Sequence, residues 1–152
     1  MFDVKKFEKI IKNFKGVPYK HQGNSKTLGM DCTMFIGNFL IDYGLMKKIL
    51  FKTYSTEWYK YTEKELIIES CEENLNNAGL KYDIVDNPKD YKCGDLIGLK
   101  LIEGVDRTTH CAIYFNENYI YHCIQNVGVR KKYFSSAYKN IVTKIYRIKG
   151  YK

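Results

Sequence analysis

Few groups in this chain titrate near neutrality, and none of them forms a covalent framework. It has three histidines, at 21, 110 and 122, and five cysteines, at 32, 71, 93, 111 and 123. The odd cysteine count and the lack of close pairs exclude a disulfide scaffold or a zinc ribbon. No stretch approaches the apolar length needed to cross a bilayer, so membrane insertion is not expected. The opening MFDVKKFEKIIKNF alternates charged with apolar residues, unlike the continuous apolar region of a signal peptide. The expectation is a chain made in a reducing cytoplasm and kept there unless a larger machine exports it. There is no internal repeat and no low-complexity tract. Acidic residues also stop early, with Glu117 the last of them.

What is present reads as one domain over residues 1–152. Apolar residues make up 45% and charged residues 28% of the chain, an ordinary globular balance. At this size roughly two thirds of the unfolded surface can be buried, enough for a core without metals or crosslinks. Fourteen tyrosines stand beside eight phenylalanines, more rings than so small a domain can bury. They suit either a tyrosine-lined groove for a polar ligand or a simple bias of composition. The net charge is +8. Beyond Glu117 come Arg130, Lys131, Lys132, Lys139, Lys144, Arg147, Lys149 and Lys152. Such a region favours an anionic partner or simply keeps the protein soluble. Tyr133, Phe134, Tyr138, Tyr146 and Tyr151 are interleaved with it and would suit base stacking. No helix-turn-helix, zinc finger or RNA-binding aromatic signature accompanies them, so nucleic acid is not the expected partner.

Hydrophobic periodicity divides the chain. Phe2, Phe7, Ile10, Ile11 and Phe14 predict a helix over 2–14. Residues 15–30 form a polar loop. A second helix is predicted from Asp31 or Cys32 to about Tyr43, with Asp31 as its cap and Gly44 as its terminator. Thr62 and Glu65 read as a capping box for a third, closed by Gly79. Thereafter the period shortens, with strands predicted at 82–85, 96–101, 109–115, 119–124 and 141–148 and a hairpin turn at Asn116-Glu117-Asn118. The fold class is α+β: N-terminal helices packed on a C-terminal antiparallel sheet of about five strands.

Cys32 falls in the first turn of a buried helix. Backbone N–H groups and the helix dipole there stabilise a thiolate and can hold an oxyanion. A buried cysteine is equally often a small core residue. His110 lies on a predicted strand, where an imidazole can take the thiol proton and return it to a leaving amine. His122, on the adjoining strand, falls within about one residue of pairing with it and can fix its tautomer. The same three residues could instead hold a catalytic zinc, although no HExxH or close cysteine pair supports a metal or other cofactor. Cys111 and Cys123 fall on the opposite faces of their strands and read as core. His21 reads as a loop surface residue.

Four segments stand out: Phe14-Lys15-Gly16-Val17-Pro18-Tyr19, Gly29-Met30-Asp31-Cys32-Thr33, Cys93-Gly94-Asp95-Leu96-Ile97, and Thr109-His110-Cys111-Ala112-Ile113-Tyr114 with Tyr121-His122-Cys123. Together they resemble the NlpC/P60-type cell-wall peptidases, a compact branch of the papain-like fold. They occur in the family's order, and the resemblance runs from about residue 5 to 147. It implies a papain-like core with Cys32 as nucleophile, His110 as base and His122 as orienting residue. Tyr19, Asp31 and Thr33 fall at substrate-binding or oxyanion positions, with Asp31 suited to a peptide's free amine. Gly94-Asp95 matches a structural turn. The implied activity is hydrolysis of an amide bond in a peptidoglycan stem peptide, with a phage tail or secretion assembly as possible carrier. Alternatives on the same scaffold are a non-catalytic wall-binding or tail protein and an acyltransferase or amidase. Thr33 and Met34 stand where serine and glycine are common, and the insertion from Met46 to Tyr61 could cover or reshape the groove.

Overall fold

The computed structural model describes residues 2–86 and 90–149; Tyr151 and Lys152 of the basic run lie outside the described residues. Asp3 opens the first helix, α1 (Val4–Ile11), by accepting the Lys6 N–H at 3.0 Å. A single 3-10 turn, Lys12–Phe14, follows, so the stretch expected as one helix over 2–14 tightens at its end. α2 spans Cys32–Tyr43 as expected, with Asp31 as N-cap and Gly44 after it at φ +93°. Lacking a Cβ, Gly44 takes this left-handed conformation without steric cost.

α2 is buried on almost every side. Phe7 of α1 stacks on its Phe39 at 4.5 Å between ring centroids, and Phe14 meets Phe35 edge-on at 5.3 Å. All four rings are excluded from solvent, each contributing about 2–3 kcal/mol of transfer free energy. This cluster fixes where the amino end of α2 points.

α3 spans Leu66–Asn77, but the expected capping box does not form. Thr62 Oγ1 accepts only the Lys64 N–H, and Glu65 Oε2 accepts the Thr108 N–H at 3.0 Å across the fold. A distant backbone donor takes the carboxylate that the local motif reserves for the helix start.

Two short strands, β1 (Asn24–Ser25) and β2 (Gly29–Met30), pair within the polar loop. The main sheet contains β3 (Lys81–Ile84), β4 (Leu96–Leu99), β5 (His110–Asn116), β6 (Tyr119–Ile124), β7 (Gly128–Tyr133) and β8 (Val142–Lys149). Their order is β3-β8-β4-β5-β6-β7, antiparallel throughout. The sheet thus has six strands, not about five. The strand that sequence missed is β7, whose GVRKKY is buried only at Gly128 and Val129 and carries no apolar alternation. A short helix, α4 (Ser136–Asn140), was also unexpected; Ser135 caps it. The predicted hairpin is present, with Glu117 at φ +52° and Asn118 at φ +64° forming a two-residue turn between Asn116 and Tyr119. Two positive φ values in succession are the signature of a type I′ turn, which matches strand twist.

One face of the sheet packs on the helices through Leu96, Ile113, Phe115 and Tyr146. The other carries Ile97, Leu99, Ala112, Tyr114, Ile120 and Phe134. No helix among the described residues is long and apolar enough to cross a membrane.

Candidate active site

The amino end of α2 meets the start of β5, and this junction brings the sequence-predicted residues together. The Cys32 thiol is buried, with Cys111 and His110 beside it. The Cys111 thiol and then the His110 imidazole hold it well below its usual range, against opposition from burial and from Asp31. The other cysteines go the opposite way. Burial pushes Cys71, Cys93 and Cys123 up to about 12, and Cys111 is raised by the neighbouring Cys32 and by burial.

His110 Nε2 lies 2.9 Å from His122 Nδ1. With Nε2 engaged there, Nδ1 is the ring nitrogen left to meet Cys32. The β5–β6 register pairs Ile113 with Tyr121, which one step further sets residue 122 opposite 112. His110 and His122 are therefore diagonal rather than direct neighbours across the ladder, still within ring contact. Burial, then the charges of His110 and Lys132, lower His122 to about 3. It stays neutral, so one of the two facing ring nitrogens can donate and the other accept.

This buried neutral imidazole makes stability depend on pH. Its folded pKa lies below its ordinary 6.5, so the unfolded chain binds the extra proton and stability falls as pH drops from 6.5 toward 3. Between pH 7 and pH 5 this group should cost about 2 kcal/mol. His122→Asn keeps an acceptor near the Nδ1 position and should abolish that part of the pH dependence, as read by urea unfolding at the two pH values. An unchanged slope would show that His122 is not the group responsible.

Asp31 is buried, and both its carboxylate oxygens are occupied. Oδ1 accepts the Met34 N–H at 2.8 Å and the Thr33 hydroxyl at 2.9 Å. Oδ2 accepts the Gln22 N–H at 3.2 Å and the Tyr54 hydroxyl at 3.1 Å. Four donors on a 2% exposed carboxylate leave no free lone pair for a peptide's amine while this arrangement stands. Tyr19 forms a backbone bridge with Met30, two residues before Cys32. Burial and the charges on Cys32 and Asp31 raise its phenol far above its usual range, so it stays protonated as a donor.

Two residues at this junction were missed by sequence reading. Cys111 was read as core, and it does pack against the core, but its thiol also helps to lower that of Cys32. Tyr54 belongs to the 46–61 insertion, which forms a strap over Asp31. Its carbonyl bonds His21 Nε2 at 3.0 Å, and the Lys52 carbonyl accepts from Gln22 Nε2 at 3.1 Å. His21 therefore anchors the strap and is half-buried rather than a free surface residue. No periodicity or motif signals a phenol that reaches a carboxylate 23 residues away. Tyr54→Phe removes a hydrogen bond to a charged group, worth about 1.5 kcal/mol. Trypsin cleavage at Lys52 should become roughly tenfold faster if that bond pins the strap; an unchanged rate would mean the strap is held elsewhere.

Under the strap, a cavity of about 180 Å³ extends between α2, α3 and the sheet, reaching Asp31, Met34 and Cys111. Among the described residues no group of three or more His, Cys, Asp or Glu is placed to hold a metal ion.

The NlpC/P60 family profile matches residues 16–147. A search of curated proteins gives no significant match. Among solved structures, an NLP/P60-family protein from Staphylococcus aureus, described as similar to lipoprotein, superposes with TM-score 0.56 and 20% identity. It covers 97% of this chain and 42% of its own. An NlpC/P60 protein from Bacillus cereus gives 0.62 and 19%, covering 96% and 40%. The NlpC/p60 domain of the peptidoglycan hydrolase SagA gives 0.54 and 14%, covering 95% of this chain and 97% of that domain. The chain spans about two fifths of the length of the first two proteins. These likenesses show the fold, and with the profile match over most of the sequence they establish that the chain belongs to the NlpC/P60 family.

Proposed function

We propose that this chain is a cysteine peptidase that hydrolyses an amide bond in the stem peptide of peptidoglycan. Members of its family are typically peptidoglycan hydrolases, and one structural neighbour is named as such. The observation that carries the reading is the Cys32 thiol at the start of α2, lowered in part by the neighbouring His110, whose ring lies 2.9 Å from a neutral His122.

The Cys32 thiolate attacks the carbonyl carbon, forming a C–S bond while the carbonyl electrons move onto oxygen. The first bond of the helix ladder runs from the Phe35 N–H to the Asp31 carbonyl, and the Met34 N–H serves the cap. That leaves the N–H groups of Cys32 and Thr33 outside the ladder to receive the oxyanion, with the Tyr19 hydroxyl beside them. The charged His110 gives its proton to the departing amine as the C–N bond breaks. It then takes a proton from water, which attacks the acyl-enzyme, forms the product carboxylate and releases the thiolate. His122 holds His110 in place through both steps.

The test is digestion of defined stem peptides in ¹⁸O-labelled water, read by mass spectrometry. One amide bond should be cut, with the label in the newly formed carboxyl group. Labelling with iodoacetamide at mildly acidic pH should modify Cys32 well before Cys71. No cleavage, together with a Cys32 no more reactive than Cys71, would leave the scaffold without this activity.

A further inference from the structure

The sheet continues past the histidine pair into β7, a strand without a part in the chemistry proposed above. Its register places Arg130 directly opposite His122, and Lys132 opposite Ile120. Residues opposite each other in an antiparallel pair share a face, so both cations rise on the face that carries His122. The Tyr138 ring joins them. It lies 6.2 Å from the His122 ring, and the Lys132 Nζ stands 5.5 Å from its centroid. Lys131, between the two, points to the other face, where its Nζ lies 4.6 Å from the centre of the Tyr119 ring. The start of β7 is also fixed in place. The Val129 N–H donates to the Val17 carbonyl at 3.0 Å, and a Cβ at Gly128 would run into that same carbonyl. Val17 is two residues before Tyr19, so β7 is tied to the segment that pairs with Met30.

Both cations are exposed, and among the described residues neither enters an ion pair. Arg130 Nη1 donates to the Val129 carbonyl at 3.1 Å, which leaves most of its donor fork free. No acidic residue follows Glu117 in the sequence, so β7, α4 and β8 bring no carboxylate to neutralise them. Two cations without a protein counter-charge, held on one face beside a buried imidazole, suit an anion supplied from outside.

We infer that Arg130 and Lys132 form a subsite for a carboxylate carried by the leaving fragment of the substrate, one or two residues beyond the cleaved bond. The inference rests on the peptidase reading, in which His110 protonates the departing amine. The amine-side fragment then lies past His110, toward β6 and β7. From β5 to β7 are two strand spacings, about 9–10 Å. Two extended residues reach about 7 Å, and an arginine or lysine side chain spans the remainder. An arginine fork takes a carboxylate through two parallel hydrogen bonds, and lysine adds a point charge. Every cut in a linear peptide leaves the terminal carboxylate on this fragment. The subsite therefore favours a bond close to a free C-terminus over one in a peptide extended or crosslinked there.

The test uses stem peptides shortened stepwise from the C-terminus, each made as the free acid and as the C-terminal amide. They are titrated calorimetrically into the full chain carrying Cys32→Ala, and cleavage by the wild type is followed in parallel. The acid whose carboxylate reaches the subsite should bind about tenfold more tightly than its amide at low salt, and the same preference should appear in kcat/KM. Arg130→Gln combined with Lys132→Gln should bring that ratio to about one. Lys131→Gln removes a neighbouring charge on the other face and should keep the preference. Equal binding of acid and amide across the series would overturn the inference, as would an equal loss of preference in Lys131→Gln. An acid preference in a chain that cleaves no peptide would keep the subsite and remove only the hydrolysis. Cleavage indifferent to the terminal charge would do the reverse, and binding of no peptide at all would overturn both.

Discussion

Cys32→Ala is expected to lower stem-peptide cleavage by at least about 10⁴-fold, with thermal unfolding essentially unchanged. In the proposed reaction the sulfur forms the acyl bond itself, so no neighbour can substitute for it. Its removal leaves only binding and the helix-start N–H groups, which account for the residual rate. Cys32→Ser should fail comparably, because a hydroxyl at this junction does not ionise near neutrality as the thiol does. His110→Ala removes the proposed proton acceptor, which together with Cys111 holds the thiol below its usual range. It should cost about as much as Cys32→Ala. The double variant should be hardly worse than either single one, because residues that act as a unit do not contribute additively. Single-turnover cleavage assays on the three variants measure this. A Cys32→Ala protein that retains more than a small fraction of the rate would move the chemistry to another residue.

A large loss of stability is expected from Asp95→Ala. Asp95 is wholly buried in the turn before β4, where its carboxylate accepts from Arg147 Nε at 2.8 Å and Nη2 at 2.7 Å. It also takes the Lys92 N–H at 2.8 Å, and its backbone bonds Tyr114 of β5. The side chain thus ties the turn to β8, the strand carrying Arg147, while the backbone ties it to β5. Truncation leaves the Arg147 guanidinium without its partner and should cost about 3–5 kcal/mol, or about 10 °C in Tm for a chain of this size. Asp95→Leu with Arg147→Met removes both charges and should regain a good part of that loss, since the penalty lies in the unpaired charge. A loss under about 1 kcal/mol in Asp95→Ala would show that water replaces the carboxylate. Gly94 just before it sits at φ +91°, where an added Cβ would run into the Phe2 ring. That Gly-Asp step is structural, as its family resemblance implied.

Much of the fold was legible because local signals and tertiary demands agreed. Asp31 and Gly44 bound α2 in the sequence as they do in space, and the apolar alternation of β5 and β6 survives around a turn of Glu117 and Asn118. β7 could not be read, because a strand at the sheet's margin with most side chains in solvent needs no apolar period. Glu65 misled because its carboxylate serves Thr108, 43 residues away, and not its own helix. Around the candidate site, Cys32, His110 and His122 were visible as residue types at plausible spacing. Cys111 and Tyr54 were not, since their partners are set by where a helix end meets a strand end and by how a strap without periodicity lies across Asp31.

The placement of β7 has a consequence for how copies of this molecule meet. It ends the strand order, and its Arg130, Lys131 and Lys132 are exposed. Were a second copy to dock its own β7 alongside in antiparallel fashion, cation would face cation along the shared border. Beyond Val129, whose N–H already bonds the Val17 carbonyl, the row of positive charge repels that approach and deters growth of the sheet into a fibre.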